Sequence, residues 1–399
     1  MSQQSRKVVI AGYVRSPFTP AGKGALKDVR ADDLVAQTIK GLIEKTGINP
    51  KLIEDVKLGC SFPEGEQGLN IARHAVFIAG LPADIPAITT NRFCGSSMQT
   101  IHDAAGAISM GMADAIIAAG VESMSRVPMG GINPMPNPKL YKEYPDSYMP
   151  MGETAENVAE LYKISRADQD KFALSSQFKA AAAKKSGKFA EEIIPIVKRD
   201  GSVVSEDGCL RPDTTAEALS RLKSPFKEGG SVTAGTSSPV TDGASAVLVC
   251  SEEFALKHGL KILAEVQAFA VTGLDPALMG MGPVSATQKA LSKAGLKIED
   301  IDIFEINEAF ASQSVACADK LGIDFNKINK DGGALALGHP LGASGARITG
   351  KAAKLLSEDA NAKYAVSTMC IGGGQGIATI LKKPVNNNDT KAKNAAAPK

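Results

Sequence analysis

Apolar residues follow two different spacings along the first ninety positions of the chain. Short apolar runs at 7–14, 56–60 and 85–90 are typical of buried β-strands. The segments 32–45 and 68–79 instead carry apolar residues at the three-to-four-residue spacing of amphipathic helices. Because strands and helices alternate, this pattern predicts an α/β architecture.

The same layout recurs in the second half of the chain. Ile53-Glu54-Asp55-Val56 has a counterpart 245 residues later in Ile298-Glu299-Asp300-Ile301. The same offset of 245 residues separates Cys94 from His339, each of which follows a predicted strand and loop. Two similar halves are therefore expected to pack together, although a chance match between common α/β patterns is the alternative.

The region from about 122 to 240 differs from both halves. It opens with a loop rich in Pro, Met and Gly and contains helical patterns at 154–161 and 166–185. An apolar run at 244–250 then predicts a buried strand that returns to the first half. This region is interpreted as an insertion into the first half.

These patterns predict the domain boundaries. The first half would cover 1–270, including the insertion, and the second half 273–384. The last segment, 385–399, is polar and has no periodicity, so it is predicted to be disordered.

Charge and hydropathy exclude several classes of protein. The 399 residues include 45 Lys or Arg and 43 Asp or Glu, which gives a net charge of only +2. This balance argues against a general binder of nucleic acid or of anionic membranes. No apolar run approaches the roughly 20 residues of a transmembrane helix. The N-terminal apolar stretch is also too short for a secretory signal.

The reactive side chains are few. Six Cys and four His have neither the density of a disulfide scaffold nor the spacing of a metal site. We therefore expect reduced thiols in a cytosol-like compartment and no metal site.

Cys94 is the first candidate for chemistry, because it lies where a predicted strand gives way to a helix. Met98 and Ile101 begin the helical spacing. A thiol near a helix N-terminus faces unpaired N–H groups, so its pKa is expected to be lowered. The small residues Gly95 and Ser96 leave room for an acyl group on the sulfur. An inert buried cysteine is the alternative from the local sequence alone.

His339 is the second candidate and lies in a Gly-rich segment. Pro340, which follows it, is predicted as the first residue of a helix. A neutral imidazole at this junction could accept the proton of a cysteine thiol. The alternative is a histidine that only packs in the core or caps the helix.

Cys370 ends a buried-type strand at 364–370 and precedes Gly372-Gly373-Gly374. Such glycines let backbone N–H groups approach a ligand oxygen, and a thiol at this point suits proton transfer. A phosphate-binding loop is the alternative. The segment lacks the Lys-Ser/Thr ending of a P-loop.

Asn307 closes a predicted strand at 302–306 and opens a helix. Its amide could hold a water molecule or a substrate oxygen. A simple helix N-cap is the alternative.

Four motifs carry these candidates, and together they resemble those of the thiolase family. The motifs are Asn91-Arg92-Phe93-Cys94-Gly95-Ser96-Ser97, Asn307-Glu308-Ala309-Phe310, Gly338-His339-Pro340-Leu341-Gly342 and Cys370-Ile371-Gly372-Gly373-Gly374. They occur in the family's order and spacing, from about residue 6 to about residue 383. The resemblance implies the α/β thiolase fold, in which two similar halves form a five-layer αβαβα sandwich with an inserted loop domain.

The resemblance also implies a reaction, which is reversible acyl transfer between an acyl-CoA and CoA. The ligands would be 3-ketoacyl-CoA, acetyl-CoA and CoA as co-substrate, with no permanently bound cofactor. Cys94 would carry the acyl group and Cys370 would move the proton. His339 would activate Cys94 and, with a water held by Asn307, stabilise the enolate oxygen. The backbone N–H groups of Cys94 and Gly372 would form a second oxyanion hole.

Further positions match the family's contacts with CoA and substrate. Ser238 matches a pantetheine contact, and Lys223 lies where many relatives carry Arg near the nucleotide. Met151 and Met279 match pocket-lining positions, and Phe310 is assigned to the same substrate-binding set. From the sequence alone, each Met is more simply a core residue.

Two departures from the family bear on the length of the acyl chain. Members specific for acetoacetyl-CoA have His in place of Pro150 and Gly in place of Ser97. The segments 66–73 and 94–99 look most like thiolase subunits of bacterial fatty-acid oxidation complexes. We therefore expect cleavage of medium to long 3-ketoacyl-CoA in β-oxidation, with short-chain acetoacetyl-CoA thiolase activity as the alternative.

Two more distant alternatives stay open. A non-catalytic thiolase-fold protein that binds acyl-CoA or lipid would be expected to lack Cys94, His339 or Cys370, and all three are present. A Cys-His hydrolase would leave Cys370 unexplained.

The resemblance also suggests partners and a location. A homodimer or homotetramer is expected, with a hydratase/dehydrogenase subunit as an undecided further partner and no nucleic acid. The C-terminal residues 397–399 do not form a peroxisomal Ser-Lys-Leu signal. A cytoplasmic location is the simplest expectation.

Overall fold

A computed structural model describes residues 6–384 of the chain. The tail predicted to be disordered, 385–399, lies outside the described residues. Within residues 6–384, no helix combines the length and the apolar character needed to cross a membrane.

The first half alternates strands and helices as the apolar pattern predicts. Its elements are β1 (Val8–Arg15), β2 (Thr19–Pro20), α1 (Ala31–Thr46), β3 (Asp55–Gly59), α2 (Ile71–Ile78), β4 (Ala87–Thr90), α3 (Ser96–Ser109) and β5 (Ala115–Ser123). Short 3₁₀ turns at Pro50–Leu52 and Gly65–Gln67 precede β3 and α2.

The region after β5 is mainly helical and then returns to the first half. Its elements are α4 (Pro138–Glu143), a 3₁₀ turn (Pro145–Tyr148), α5 (Met151–Leu161), α6 (Arg166–Lys185), β6 (Ile196–Val197), β7 (Val203–Val204), α7 (Ala216–Ser220), β8 (Thr241–Ser251) and α8 (Glu252–Lys257). Helix α6 has the predicted bounds, and a capping box between Ser165 and Asp168 fixes its start. The strand predicted to return to the first half is β8, which pairs with both β1 and β5.

The second half repeats the strand-and-helix alternation. Its elements are β9 (Ala264–Gly273), a 3₁₀ turn (Pro276–Met281), α9 (Gly282–Ala294), a 3₁₀ turn (Ile298–Asp300), β10 (Ile303–Ile306), α10 (Ala311–Leu321), a 3₁₀ turn (Phe325–Lys327), α11 (Ala334–Leu337), α12 (Leu341–Glu358), β11 (Tyr364–Ile371) and β12 (Gln375–Lys382).

Ten strands form one mixed sheet in the order β10-β11-β12-β9-β1-β8-β5-β3-β4, with β2 beside β8. In the first half β3 and β5 are parallel, and β5–β8 and β8–β1 are antiparallel. The second half has the same sequence of pairings in β10–β11, β11–β12 and β12–β9. The halves are joined where β1 pairs with β9 over two residues, Val9 with Glu265 and Ile10 with Ala264.

The repeat is present, but the four-residue match that suggested it is three residues out of register. Gly47 and Gly295 end the equivalent helices α1 and α9 in the left-handed conformation, an offset of 248 residues. The following 3₁₀ turns, Pro50–Leu52 and Ile298–Asp300, have the same offset. The offset of 245 does hold for α3 and α12, which begin at Ser96 and Leu341. The loops between these elements differ in length in the two halves, which explains why the offset changes from 248 to 245 residues.

The elements pack in five layers, and the two parts of this sheet form two of them. Helices α1 and α2 cover the outer face of the first half, and α9 and α10 cover that of the second. Helices α3 and α12 lie between the two parts of the sheet, and α12 contacts β1, β5 and β8 as well as β10 and β11. The buried residues of α12 span nearly its whole length, as a central helix requires.

Candidate active site

The loop that carries Cys94 has a tight local structure. The Asn91 side chain accepts a hydrogen bond from the Phe93 N–H at 2.8 Å, and Phe93 adopts a left-handed φ of 42°. The Ser96 hydroxyl accepts from the Arg92 N–H at 2.9 Å and donates to the Phe93 carbonyl at 2.6 Å. These bonds hold Cys94 two residues before the start of α3.

The expectation of a lowered pKa for Cys94 is wrong. Cys94 is partly buried, and desolvation of its thiol by the surrounding protein raises the pKa to about 11, although a hydrogen bond from the Gly372 N–H opposes the rise. The negative charge of Glu122 adds to the increase. Since the helix dipole acts only over the first turn, it does not outweigh the lost hydration. The thiol is therefore protonated near neutral pH and needs a base to become a nucleophile.

His339 lies two residues before α12, after a Gly338 whose φ is 101°. Pro340 is the N-cap of α12 and Leu341 its first residue, one position later than predicted. The His339 N–H donates to the Thr241 hydroxyl at 3.0 Å, and this bond ties the loop to β8.

The hydrogen bonds of the His339 ring determine its tautomer. The Ser344 hydroxyl donates to the Pro340 carbonyl at 3.1 Å and lies 2.5 Å from Nδ1 of His339. Nδ1 therefore carries the hydrogen and donates it to Ser344. The Asn307 amide donates to Nε2 at 3.2 Å, which leaves Nε2 as the basic nitrogen. Burial, with a smaller contribution from the charge of Arg347, lowers the pKa of His339 to about 3, so the ring is neutral.

Cys370 is buried near the end of β11. Burial raises its pKa well above the ordinary value, and ionisation of the Cys94 and Cys317 thiols would add to the rise. The chain then turns at Gly373 and Gly374, whose φ values of 74° and 76° favour glycine. This turn presents the Gly372 N–H to the Cys94 sulfur.

The two central helices bring Cys94 and His339 into one region. A Cβ on Gly345 of α12 would lie only 2.3 Å from the Met98 nitrogen of α3, so the helices touch backbone to backbone. The Ala346 N–H also donates to the Ser97 hydroxyl at 2.8 Å. Because the contacts involve the second and third residues of α3 and the fifth and sixth residues of α12, the N-terminal parts of the two helices are adjacent.

Parallel strands bring Asn307 and Cys370 to the same edge of the sheet. The Asn307 N–H donates to the Thr368 carbonyl at 3.0 Å, just after the last pair of β10 and β11. The structure thus collects all four predicted catalytic residues around the ends of α3, α12, β10 and β11.

The predicted substrate-binding residues divide into two groups. Met151, Met279 and Phe310 share an apolar cluster with Cys370. Ser238 is close to this cluster, since its N–H donates to the Ala309 carbonyl at 2.9 Å.

Lys223 lies outside this cluster and is exposed on a loop of the insertion. The loop reaches the cluster through Phe226, whose ring packs edge-on against Phe310 with centroids 6.2 Å apart. The position of Lys223 therefore suits a contact at the rim of a ligand site rather than in its interior.

Three residues with roles at this site were not identified from the sequence. Ser344 holds the His339 ring, Thr241 holds its backbone, and Glu122 lies beneath both loops. Ser344 had a usable signal, because it falls one turn into the helix predicted after Pro340. Thr241 and Glu122 could not be identified from a local sequence pattern, since their contacts join segments far apart in the chain.

Residues 6–384 contain no group of three or more His, Cys, Asp or Glu placed to hold a metal ion. The six cysteines all lie in this range, and none forms a disulfide.

Comparison with known proteins assigns the arrangement to a family. The family model for the thiolase N-terminal domain matches residues 8–253, and that for the thiolase C-terminal domain matches residues 260–383. The chain belongs to the thiolase family. Its fold is the thiolase fold, as the resemblance implied.

Individual thiolases resemble the chain over nearly its whole length. A 3-ketoacyl-CoA thiolase of Vibrio parahaemolyticus is 48% identical, covering 96% of this chain and 100% of the relative. The crystal structure of human mitochondrial 3-ketoacyl-CoA thiolase in complex with CoA superposes with a TM-score of 0.87 at 39% identity, over 95% of this chain and 98% of that one. The crystal structure of the Bacillus anthracis acetyl-CoA acetyltransferase gives a TM-score of 0.89 at 37% identity, over 96% and 100%.

Proposed function

We propose that this thiolase is a 3-ketoacyl-CoA thiolase, an acetyl-CoA C-acyltransferase that cleaves 3-ketoacyl-CoA with CoA in fatty-acid β-oxidation. The observation that carries the proposal is that two thiols, Cys94 and Cys370, lie near each other and that the Gly372 N–H donates to the Cys94 sulfur. The reaction needs one thiol to hold an acyl group and another to move a proton. Relatives named 3-ketoacyl-CoA thiolase support the same activity.

The first half of the reaction forms an acyl-enzyme. Nε2 of His339 takes the Cys94 proton, and the thiolate attacks the 3-keto carbon of the substrate. The bond between C2 and C3 of the substrate then breaks, which leaves the acyl group on Cys94 and an enolate of acetyl-CoA. Cys370 donates its proton to C2 of this enolate, and acetyl-CoA leaves.

The second half of the reaction returns the enzyme to its starting state. The Cys370 thiolate takes the proton of the incoming CoA thiol, and the CoA sulfur attacks the acyl carbon on Cys94. The shortened acyl-CoA leaves, and Cys94 recovers its proton from His339. Because the first product leaves before CoA reacts, the mechanism is ping-pong.

Neutral donors suit the oxygens that become negative during these steps. The N–H groups of Cys94 and Gly372 face the Cys94 sulfur and are suited to bind the oxygen of the tetrahedral intermediates. Asn307 contacts Nε2 of His339 and is suited to hold a water molecule that, with His339, stabilises the enolate oxygen.

We place the acyl chain and pantetheine at the cluster of Met151, Met279 and Phe310, with Ser238 beside the pantetheine and Lys223 near the nucleotide. The apolar character of the cluster supports this assignment. The resemblance to a human thiolase solved in complex with CoA supports CoA as the co-substrate.

The protein is further proposed to act as a homodimer or homotetramer in the cytoplasm. The edge strand β4 presents Ile88 half exposed, which suits coverage by a second copy. The requirement for two reduced thiols suits a reducing compartment. A hydratase/dehydrogenase subunit is proposed as a further partner.

Thiolysis rates on 3-ketoacyl-CoA of four to sixteen carbons test the function. We expect kcat/KM to be greater for medium and long chains than for acetoacetyl-CoA. Exclusive use of acetoacetyl-CoA would support the short-chain alternative. Absence of thiolysis at every length, in a protein shown to be folded, would contradict the proposal.

A further inference from the structure

Glu122 is a fully buried carboxylate at the end of β5, beneath both loops of the site. One of its oxygens, Oε2, accepts the Gly342 N–H and the Ser61 N–H, each at 2.8 Å. The other, Oε1, accepts from the Gln67 amide at 2.8 Å and the Phe62 N–H at 3.3 Å. The Cys60 thiol lies 3.8 Å from Oε1 as a further donor.

All these partners are donors, which suits the ionised form of the carboxylate. Burial raises the pKa of Glu122, while the hydrogen bonds from Ser61, Gly342 and Gln67 oppose the rise. The Gln67 amide is fixed in turn, because its oxygen accepts the Ser123 N–H at 2.6 Å. The carboxylate therefore has a single well-defined position.

One arm of this network leads to His339. Gly342 is the second residue of α12 and lies three residues after His339. Its N–H is one of the groups at a helix N-terminus that has no partner inside the helix. By binding it, Glu122 fixes the start of α12 and neutralises the positive end of its dipole.

The other arm leads to Cys94. The Ser61 carbonyl accepts from the Asn91 amide at 3.0 Å, and the Asn91 oxygen accepts the Phe93 N–H at 2.8 Å. Phe93 immediately precedes Cys94. Glu122 is thus connected by hydrogen bonds to both loops, although it lies in neither.

We propose that Glu122 is a positioning residue that sets the His339 loop and the Cys94 loop relative to each other. The proposal rests on the proposed function, since it concerns proton transfer from Cys94 to His339. A small displacement between a base and the thiol it activates slows proton transfer strongly. The loss would appear in kcat rather than in the KM for CoA, because Glu122 contacts no predicted CoA-binding residue.

Glu122→Gln tests this role, because it keeps the shape but places an amide group among donors. We expect kcat for thiolysis to fall by about tenfold or more, with the KM for CoA within about threefold. Glu122→Asp keeps the charge on a shorter side chain and should recover part of kcat. Gln67→Ala removes one supporting donor and serves as the milder variant if Glu122→Gln does not fold.

Asp302→Asn is the matched control. Asp302 accepts the Lys363 and Tyr364 N–H groups at 2.7 and 3.2 Å, at the opposite ends of β10 and β11 from Asn307 and Cys370. It should lower the melting temperature without lowering kcat. A kcat loss in Glu122→Gln no larger than in Asp302→Asn at an equal drop in melting temperature would overturn the proposal.

Alkylation of Cys94 by iodoacetamide gives a readout that does not depend on thiolysis. Removing the Glu122 charge should move the pH profile of this reaction to lower pH, because that charge raises the pKa of Cys94. Asp302→Asn should leave the profile unchanged. An unchanged profile in Glu122→Gln, together with wild-type kcat, would refute the positioning role. Lack of activity in the wild type would instead count against the proposed function.

Discussion

Burial keeps the Cys94 and Cys370 thiols and the His339 imidazole uncharged in the resting protein. It raises the pKa values of Cys94 and Cys370 and lowers that of His339. In the proposed mechanism a neutral imidazole takes the proton of a neutral thiol when substrate arrives, whereas a thiolate–imidazolium pair would already have transferred it. At the scale of the residue, these three groups are therefore neutral rather than pre-ionised.

Alkylation of wild-type Cys94 tests this state. Because its pKa is about 11, the modification rate should rise by about tenfold per pH unit from pH 7 to pH 10. The rate is followed by mass spectrometry of the peptide that contains Cys94, and Cys94→Ser is the control that cannot react there. A plateau near neutral pH would show that the helix N-terminus stabilises the thiolate after all.

Ser344→Ala tests the tautomer of His339. Loss of the hydroxyl leaves Nδ1 without its acceptor, and one lost hydrogen bond of about 1.4 kcal/mol corresponds to about a tenfold lower kcat. Thr349→Ala is the matched control on α12, since it removes a buried hydroxyl bonded to Ser367 at 2.9 Å. Equal kcat values in the two variants would argue against the role of Ser344.

The residues that bear the proposed chemistry were visible in the sequence because each stands at a strand or helix end, and Cys94, His339 and Cys370 also have a glycine within two residues. The state of those residues was not visible. The pKa of Cys94 depends on how closely distant segments enclose the sulfur, and Glu122 resembles an ordinary surface charge after an apolar strand. The local sequence pattern does not show which distant segments will bury a given side chain.

At the scale of the element, the position of the two loops depends on how α3 and α12 meet. Most elements were predicted within a few residues, since their apolar spacing is regular. The register of the repeat was predicted wrongly from a four-residue match. The left-handed glycines that end the equivalent helices, Gly47 and Gly295, define the register better.

Gly345→Ala tests the close approach of the helices. The new methyl group would lie 2.3 Å from the Met98 nitrogen, so the variant should lose about 1–3 kcal/mol or more in free energy of unfolding. Gly106→Ala on α3 is the matched control, because nothing lies within 4 Å of its added methyl group. It should gain about 0.5–1 kcal/mol from helix propensity. Urea unfolding measures both, and equal midpoints would contradict this packing.

At the scale of the whole molecule, buried charges join the insertion to the first half. The Arg15 guanidinium, on β1, contacts Glu192 at 2.9 Å and Asp207 at 2.7 Å, and all three side chains are almost fully buried. Lys351 lies on α12 in the second half, and its ammonium group binds the Glu192 carboxylate at 3.1 Å. The low net charge gave no sign of this cluster, because its members are far apart in the sequence.

Arg15→Met tests the contribution of the cluster. Removing the cation leaves two buried carboxylates short of a partner, so the free energy of unfolding should fall by about 3–5 kcal/mol. Lys184→Ala, which removes an exposed pair with Glu206, should change it by less than about 1 kcal/mol. Both are measured by urea unfolding. A similar small effect in the two variants would show that the cluster does not hold the insertion in place.

The acyl group on Cys94 is the central claim, and peptide mass spectrometry tests it most directly. The protein is incubated with an acyl-CoA in the absence of free CoA and digested under mildly acidic conditions. The account predicts the added mass of one acyl group on the peptide that contains Cys94, and its loss when CoA is added before digestion. An acyl group on a different residue, or no adduct in a protein that carries out thiolysis, would contradict it.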